Sequence, residues 1–373
     1  MPLRISIHKH SFQFSFEART SRGLMKERVS WFVKLWDDKN ADVFGLGECA
    51  PLPGLSKETG EEVEIALAEL EKVINGQKME LPSNGFATLG ELESFIFGLE
   101  GNLISSVRFA FETALLDLAN GGKRIIFKTK FLEGNPIPIN GLIWMGGLDH
   151  TLQQIDIKIK DGFRCIKMKV GGHDFEKECD ILQYVRRKYY RENVAVRLDA
   201  NGAFKPEDAL YKLRQLEKFN VHSIEQPIKP GLPEMAELCR QSPIHIALDE
   251  ELIGVQSAEA KKDLLTRIKP MFIILKPSLH GGLRSCEEWI QLAESSGIGW
   301  WITSALESSI GLNATAQFTS LYSIQMPQGL GTGMIYTNNI GSPLMVEKGM
   351  LTYNHQTDWD LTPIFPYVVA DSE

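Results

Sequence analysis

The chain has 373 residues, 43% of them hydrophobic and 24% charged, with a formal net charge of -8. That length allows a large core plus a second, smaller unit, and the balance is ordinary for a globular protein. The acidic charge and the lack of a basic run argue against nucleic acid, and no stretch approaches the ~20 apolar residues of a membrane span.

Residues 3–16 alternate with period two and predict a strand, followed by a loop at Ser21-Arg22-Gly23 and strands over Val29–Leu35 and Gly45–Ala50. The last of these runs into the turn-rich Pro51–Ser56. Apolar residues at helical spacing then predict helices over Glu62–Ile74 and Asn102–Asn120, the second stopped by Asn120-Gly121-Gly122. Residues 1–130 thus form an α+β unit.

From Pro136 the chain repeats apolar strand, then amphipathic helix. Candidate strands are Ile137–Ile143, Cys165–Val170, Val194–Ala200, Val221–Gln226, His245–Glu250, Met271–Pro277, Trp300–Ala305 and Gly329–Gly333. Helical stretches such as Glu176–Tyr189, Pro206–Phe219 and Ser285–Ser296 lie between them. The fold class is α/β: a (β/α)7-8 barrel over residues 131–340 with an N-terminal α+β unit beside it. An open doubly wound sheet is the rival, but Gly141-Leu142-Ile143-Trp144-Met145-Gly146 is not the phosphate loop such a sheet carries. The tail, residues 341–373, holds one or two strands over Leu344–Asn354 and is expected to pack back on the first unit.

The barrel strands share one feature. In Cys165-Ile166-Lys167-Met168-Lys169-Val170, the side chains of Ile166, Met168 and Val170 share one face and Lys167 and Lys169 the other. A surface strand would do the same, its lysines in water. Four further segments argue otherwise: apolar strands end in Asp199, Glu225, Asp249 and Lys276. Strands buried on both faces are near-continuously apolar, and barrel enzymes carry their chemistry at the C-terminal strand ends.

Any one of the three carboxylates could be a helix cap; three at matching positions form a ligand set. Asp199, Glu225 and Asp249 suit a hard cation, Mg2+, with Mn2+ as a substitute. No His or Cys occupies a matching strand end, which disfavours zinc. Lys169 and Lys276, on the second and sixth strands, lie across the mouth from each other. A divalent cation flanked by two bases suits proton abstraction beside the carboxylate of a small-molecule substrate. The five cysteines, Cys49, Cys165, Cys179, Cys239 and Cys286, include no Cys-x-x-Cys, and the opening residues hold no signal-peptide run. A reducing cytoplasm is the expected setting. Nothing in the residues specifies an oligomeric state.

Lys167-Met168-Lys169, Asp199-Ala200-Asn201, Glu225-Gln226-Pro227, Asp249-Glu250 and Lys276-Pro277, in this order, resemble the muconate-lactonizing branch of the enolase superfamily. The resemblance implies that the first unit is a capping domain, joined by the tail, whose loops near Ser21-Arg22-Gly23 and Pro51–Ser56 close over the substrate. Within that branch, Asn140-Gly141-Leu142-Ile143-Trp144, Thr303–Gly311 and Gly329-Leu330-Gly331-Thr332-Gly333 are similar to the o-succinylbenzoate synthase family of menaquinone biosynthesis. This implies a hydro-lyase that converts 2-succinyl-6-hydroxy-2,4-cyclohexadiene-1-carboxylate to 2-succinylbenzoate by syn-dehydration. Lys169 would be the base, Lys276 a cation over the ring, and Lys167 would orient the carboxylate. The resemblance also places Arg197, Ser304 and Gly331 at the substrate.

The rival activity is racemization of an N-succinylamino acid, or epimerization of a dipeptide, with Lys169 and Lys276 as opposed bases. Dipeptide epimerases of this superfamily carry Asp-x-Asp at the eighth strand; Gly331–Tyr336 has none. A barrel that only binds would be expected to have lost one of the six charged positions, and none is lost.

Overall fold

The computed structural model describes residues 2–20, 23–97, 103–172 and 174–366. Ser21 and Arg22 of the expected closing loop, and Asn102 at the expected helix start, lie outside the described residues.

Strands β1 (Leu3–Thr20), β2 (Gly23–Asp37) and β3 (Asn40–Cys49) form an antiparallel meander. Both of its faces are covered. Leu3, Ile5, Trp31, Val33 and Leu35 face the core shared with the helices, whereas Phe12, Phe14, Phe32 and Leu46 belong to a second cluster with Leu306, Ile310 and Tyr336. A register shift between Gln13 and Ala18 marks a bulge in β1.

Helix α1 (Gly60–Gly76) starts at a capping box, Thr59 and Glu62 each bonding the other's backbone N–H. Helices α2 (Leu89–Phe97) and α3 (Ser105–Ala119) follow. Residues Ser106–Leu118 of α3 are buried almost all round, because α3 lies between the meander and the barrel. It rests so closely on β3 that a Cβ on Gly45 or Gly47 would fall 1.9 or 1.8 Å from the carbonyl oxygens of Ala114 or Ala110.

The expected first barrel strand is split. Residues of β4 (Ile137–Pro138) turn away to pair antiparallel with the tail, and β5 (Gly141–Ile143) begins the barrel. The alternation continues as α4 (Leu148–Lys160), β6 (Cys165–Lys169), α5 (Phe175–Lys188), β7 (Ala195–Asp199), α6 (Pro206–Glu217), β8 (Ser223–Glu225) and α7 (Glu234–Gln241). It is completed by β9 (Ile246–Leu248), α8 (Ala258–Ile268), β10 (Phe272–Leu275), α9 (Gly282–Ser295), β11 (Gly299–Ile302) and α10 (Ser309–Thr319). Strands β5 to β11 pair in chain order as one parallel seven-stranded sheet.

The expected eighth strand is reduced to two bridging residues. Gln328 pairs with Ile139 on one side and Gly329 with Thr303 on the other. Gln328 N–H donates to Pro138 O and Gly329 N–H to Ile302 O, both at 2.8 Å, so the sheet edges are joined across this pair. Glycine is required there: a Cβ on Gly329 would lie 2.1 Å from Thr303 Oγ1. Among the described residues no helix follows; residues 335–337 instead pair with β1, Ser15 N–H donating to Ile335 O at 2.9 Å.

The tail holds two strands where one or two were expected, but its hairpin meets the barrel and only its end meets the first unit. Strands β12 (Leu344–Glu347) and β13 (Met350–Tyr353) form a hairpin on β4, close to Gly162 at the N-terminal end of the barrel. Further on, the tail reaches the meander: Ile364 joins the cluster of Phe12, Phe32 and Leu46, and the Phe365 ring lies 4.6 Å from His8 and 5.8 Å from Phe44.

Candidate active site

Parallel strands in register bring their ends together. Lys169 is the register partner of Asp199, and Asp199 of Glu225. Asp249 stands one residue beyond β9 and Lys276 one beyond β10. All of them, with Lys167, line one cavity of about 120 Å³. Its remaining lining is uncharged: Asn201 beyond β7, Asn140, Leu142 and Trp144 around β5, Thr303–Leu306 after β11, Gly329, Gly331 and Thr332, and Leu52 and Leu55 from the 51–56 loop. A larger groove of about 1010 Å³ runs alongside, sharing Asn140, Leu142, Trp144, Gly331 and Thr332 but none of the charged groups.

The charged groups are interlocked. Lys167 Nζ lies 2.9 Å from Asp199 Oδ2 and 2.5 Å from Glu225 Oε2. Lys169 Nζ lies 3.0 Å from the same Asp199 oxygen and also donates to Asn201 Oδ1. Lys276 donates to Asp249 Oδ2. Burial opposes ionisation of Asp199, but Lys167 and Lys169 outweigh it and hold this carboxyl well below its ordinary range. Glu225 goes the other way: burial and the charge of Asp199 push it well above, Lys167 opposing. Burial lowers Lys167 and Lys276, yet the facing carboxylates prevail and both ammonium groups are held more firmly than usual.

Among the described residues no three carboxylate, imidazole or thiolate groups form a ready-made cation cage. Each strand-end carboxylate instead turns an oxygen to a lysine. Glu225 Oε1 and Asp249 Oδ1 are nonetheless buried with no hydrogen-bond donor. Such oxygens are costly in a dry site, and an all-carboxylate set with free lone pairs fits a hard divalent cation.

Three residues were expected at the substrate. Ser304 and Gly331 line the cavity, Ser304 Oγ 2.6 Å from Thr332 Oγ1. Arg197 does not. It shares the inner face of β7 with Asp199 but sits two residues lower, its guanidinium 4.0 Å above the Trp301 ring and donating to Pro327 O at 2.8 Å. It fills the barrel interior beneath the site.

Residues given no role by the sequence reading also shape the site. Asn201, at a left-handed φ of 44°, accepts from Lys169 and donates to Glu250 Oε1 at 2.8 Å. Gln226, at φ 41°, accepts the N–H groups of Asp249 and Glu251 at 3.3 and 3.2 Å and so fixes the end of β9. The available signal was an amide residue just past each of these two strands, Asn201 two residues beyond β7 and Gln226 directly after β8; of the two, only asparagine is a type that often takes this backbone.

Two family models match the chain: Enolase C-terminal domain-like over residues 151–356, and MenC, N-terminal domain, over residues 6–100. An o-succinylbenzoate synthase of Desulfotalea psychrophila is 43% identical over 366 residues, covering 94% of this chain and 98% of that one. The crystal structure of MenC from that organism matches with a TM-score of 0.83 and 40% identity, over 94% of this chain and all (100%) of the other. A substrate-liganded L-Ala-D/L-Glu epimerase from Bacillus subtilis shares the fold, with a TM-score of 0.79 at 18% identity over 96% and 98% of the two chains.

Proposed function

Since the chain belongs to the enolase superfamily, and within it to the o-succinylbenzoate synthase family, we propose that the strand-end lysines carry out that family's syn-dehydration. The reaction takes 2-succinyl-6-hydroxy-2,4-cyclohexadiene-1-carboxylate to 2-succinylbenzoate. The observation that carries the assignment of residues is that Lys169 and Lys276 enter one small cavity from β6 and from the end of β10, each against a different carboxylate.

Lys169, in its amine form, takes the proton alpha to the substrate carboxylate. The electron pair of that C–H bond moves into the ring and the C–O bond breaks. The departing hydroxide leaves as water with the proton that Lys169 returns, so one base on one face serves both halves of the reaction. Lys276 stays cationic against the negative charge that grows on the carboxylate side of the ring. Lys167, between Asp199 and Glu225, orients the substrate carboxylate. Asn201 holds the Lys169 ammonium in place, and Leu52, Leu55 and Trp144 keep water from the ring. Asp199, Glu225 and Asp249 would hold Mg2+, which supplies positive charge beside the substrate carboxylate.

The test is direct. Purified protein with Mg2+ and the cyclohexadiene substrate is expected to show loss of diene absorbance as the ring aromatises, and Lys169→Ala to show it at least ~100-fold more slowly. Wild-type protein without turnover would overturn the reading.

A further inference from the structure

The site's charged half handles the reacting carboxylate, which leaves the substrate's succinyl arm to the uncharged half. Two segments build much of that half: the 51–56 loop, through Leu52 and Leu55, and the turn after β11, through Thr303–Leu306. They come from different layers of the molecule, and one side chain touches both. Arg28, on β2, is 2% exposed. One terminal nitrogen of its guanidinium donates to Ala305 O and the other to Ala50 O, directly before the 51–56 loop.

The turn it grips is held from every side. Leu306 has φ 64°, a left-handed backbone that is costly for leucine. Its carbonyl accepts the Tyr336 hydroxyl at 2.6 Å. Glu307 Oε2 accepts the Ala305 N–H at 2.7 Å, and Glu307 Oε1 the Ser278 hydroxyl at 2.5 Å. Glu48, buried on β3, accepts the Ser308 N–H and hydroxyl at 2.9 and 2.5 Å, the Gly311 N–H at 3.0 Å and the Ser30 hydroxyl at 2.8 Å. Burial pushes the Glu307 carboxyl up, and the charge of buried Arg28 opposes it.

A network of this kind could simply weld two layers together. Apolar packing does that at lower desolvation cost, and Phe12, Phe14, Leu306 and Ile310 already do so nearby. The particular carbonyls gripped are what the weld does not explain: each belongs to or adjoins a segment lining the cavity. We propose that Arg28 is a positioning residue, a two-headed clamp that sets the 51–56 loop against the turn after β11 and so fixes the fit of the succinyl arm. The proposal rests on the dehydration reading above. Arginine suits the role because its rigid fork serves two acceptors at once, whereas lysine offers one compact ammonium.

The arm does not react, so its contacts act equally on ground and transition states. Loosening them raises KM and leaves kcat nearly unchanged, whereas mere loss of folded protein lowers apparent kcat and leaves KM alone. Arg28→Lys keeps the charge and loses the fork. Tyr336→Phe is the milder companion, deleting one hydroxyl that holds Leu306. With the cyclohexadiene substrate, Arg28→Lys is expected to raise KM roughly 10-fold and Tyr336→Phe roughly 3-fold, with kcat within about 2-fold of wild type. A readout that needs no turnover is tryptic cleavage after Lys57, exposed beside the loop, which is expected to be several-fold faster in Arg28→Lys than in wild type. Unchanged KM in both variants, or unchanged cleavage in Arg28→Lys, would overturn the clamp. If wild type failed to turn over, the dehydration reading would fall instead, and cleavage would still decide whether Arg28 holds the loop.

Discussion

Asp199 and Glu225 are register partners on adjacent parallel strands, and a single ammonium, that of Lys167, lies 2.9 Å from one carboxylate and 2.5 Å from the other. Two buried carboxylates so placed repel unless positive charge is shared between them. Asp199→Asn keeps the shape and removes one negative charge. Turnover is expected to fall at least ~100-fold and Mg2+ affinity by a similar factor, with Tm within a few degrees of wild type because the site lies at the rim of the barrel. Calorimetric titration of Mg2+ and a thermal melt check both halves. Chelator-treated wild type is expected to be inactive and to recover with Mg2+ or Mn2+; full activity after chelation would remove the metal from the account.

The lysines separate by substitution. Lys169→Ala and Lys276→Ala are both expected to lose ~10²–10⁴ in kcat. Arginine keeps the charge but gives up no proton in the useful pH range, so Lys276→Arg is expected to retain partial activity and Lys169→Arg none. Equal and complete loss in the two arginine variants would point to two working bases and to racemization.

Glu112 offers a stability test away from the chemistry. Buried on α3, it accepts the Leu283 N–H at 2.5 Å near the start of α9 and Arg108 Nε at 3.1 Å. Burial pushes its carboxyl up from 4.5 to about 7, with Arg108 opposing. A carboxyl raised on folding stabilises while protonated, and that contribution is lost as pH rises from ~4.5 through about 7. The stability of wild type relative to Glu112→Gln is therefore expected to fall across this window, by on the order of 3 kcal/mol. Urea unfolding at the two ends of the window measures it. A relative stability that instead grows with pH would mean that Arg108 and the helix end outweigh burial.

The candidate site was legible in the sequence because charge in a doubly covered sheet is tolerated chiefly at strand ends. Lys169, Asp199, Glu225, Asp249 and Lys276 therefore stood out from apolar strands. Arg197 shows where such reasoning stops. Alternation gives the face of a strand but not the way a long side chain runs: Lys167, the register partner of Arg197 on β6, reaches up to Asp199 and Glu225, whereas Arg197 lies over the ring of Trp301. The eighth strand was overdrawn for a related reason. The glycines of Gly329–Gly333 signal close backbone approach rather than extended pairing, as the fit of Gly329 against Thr303 shows. The meander's three strands were each read but drawn short, β2 as Val29–Leu35 where it runs Gly23–Asp37, since both faces of the sheet's middle are buried and its ends carry no clear alternation. No local pattern could expose the joining of Glu48 to Ser308, groups 260 residues apart.

The reaction itself is the remaining prediction. The family's dehydration ends in an aromatic ring, so one base and the charge beside the carboxylate suffice, and Lys276 need never release its proton. Lys276 suits that lesser role: the facing carboxylates hold its ammonium more firmly than usual. Racemizing an N-succinylamino acid makes the opposite demand. No aromatic product drives it, and a proton must arrive from the face opposite Lys169, so Lys276 must cycle between charged and neutral forms. Incubated with Mg2+, an N-succinylamino acid is therefore expected to racemize at less than ~1% of the dehydration rate, since two such handicaps each cost a factor of 10 or more. Polarimetry follows the racemization, and diene absorbance the dehydration. Comparable rates would show that Lys276 gives up its proton readily, and the single-base account would give way to an enzyme that does both.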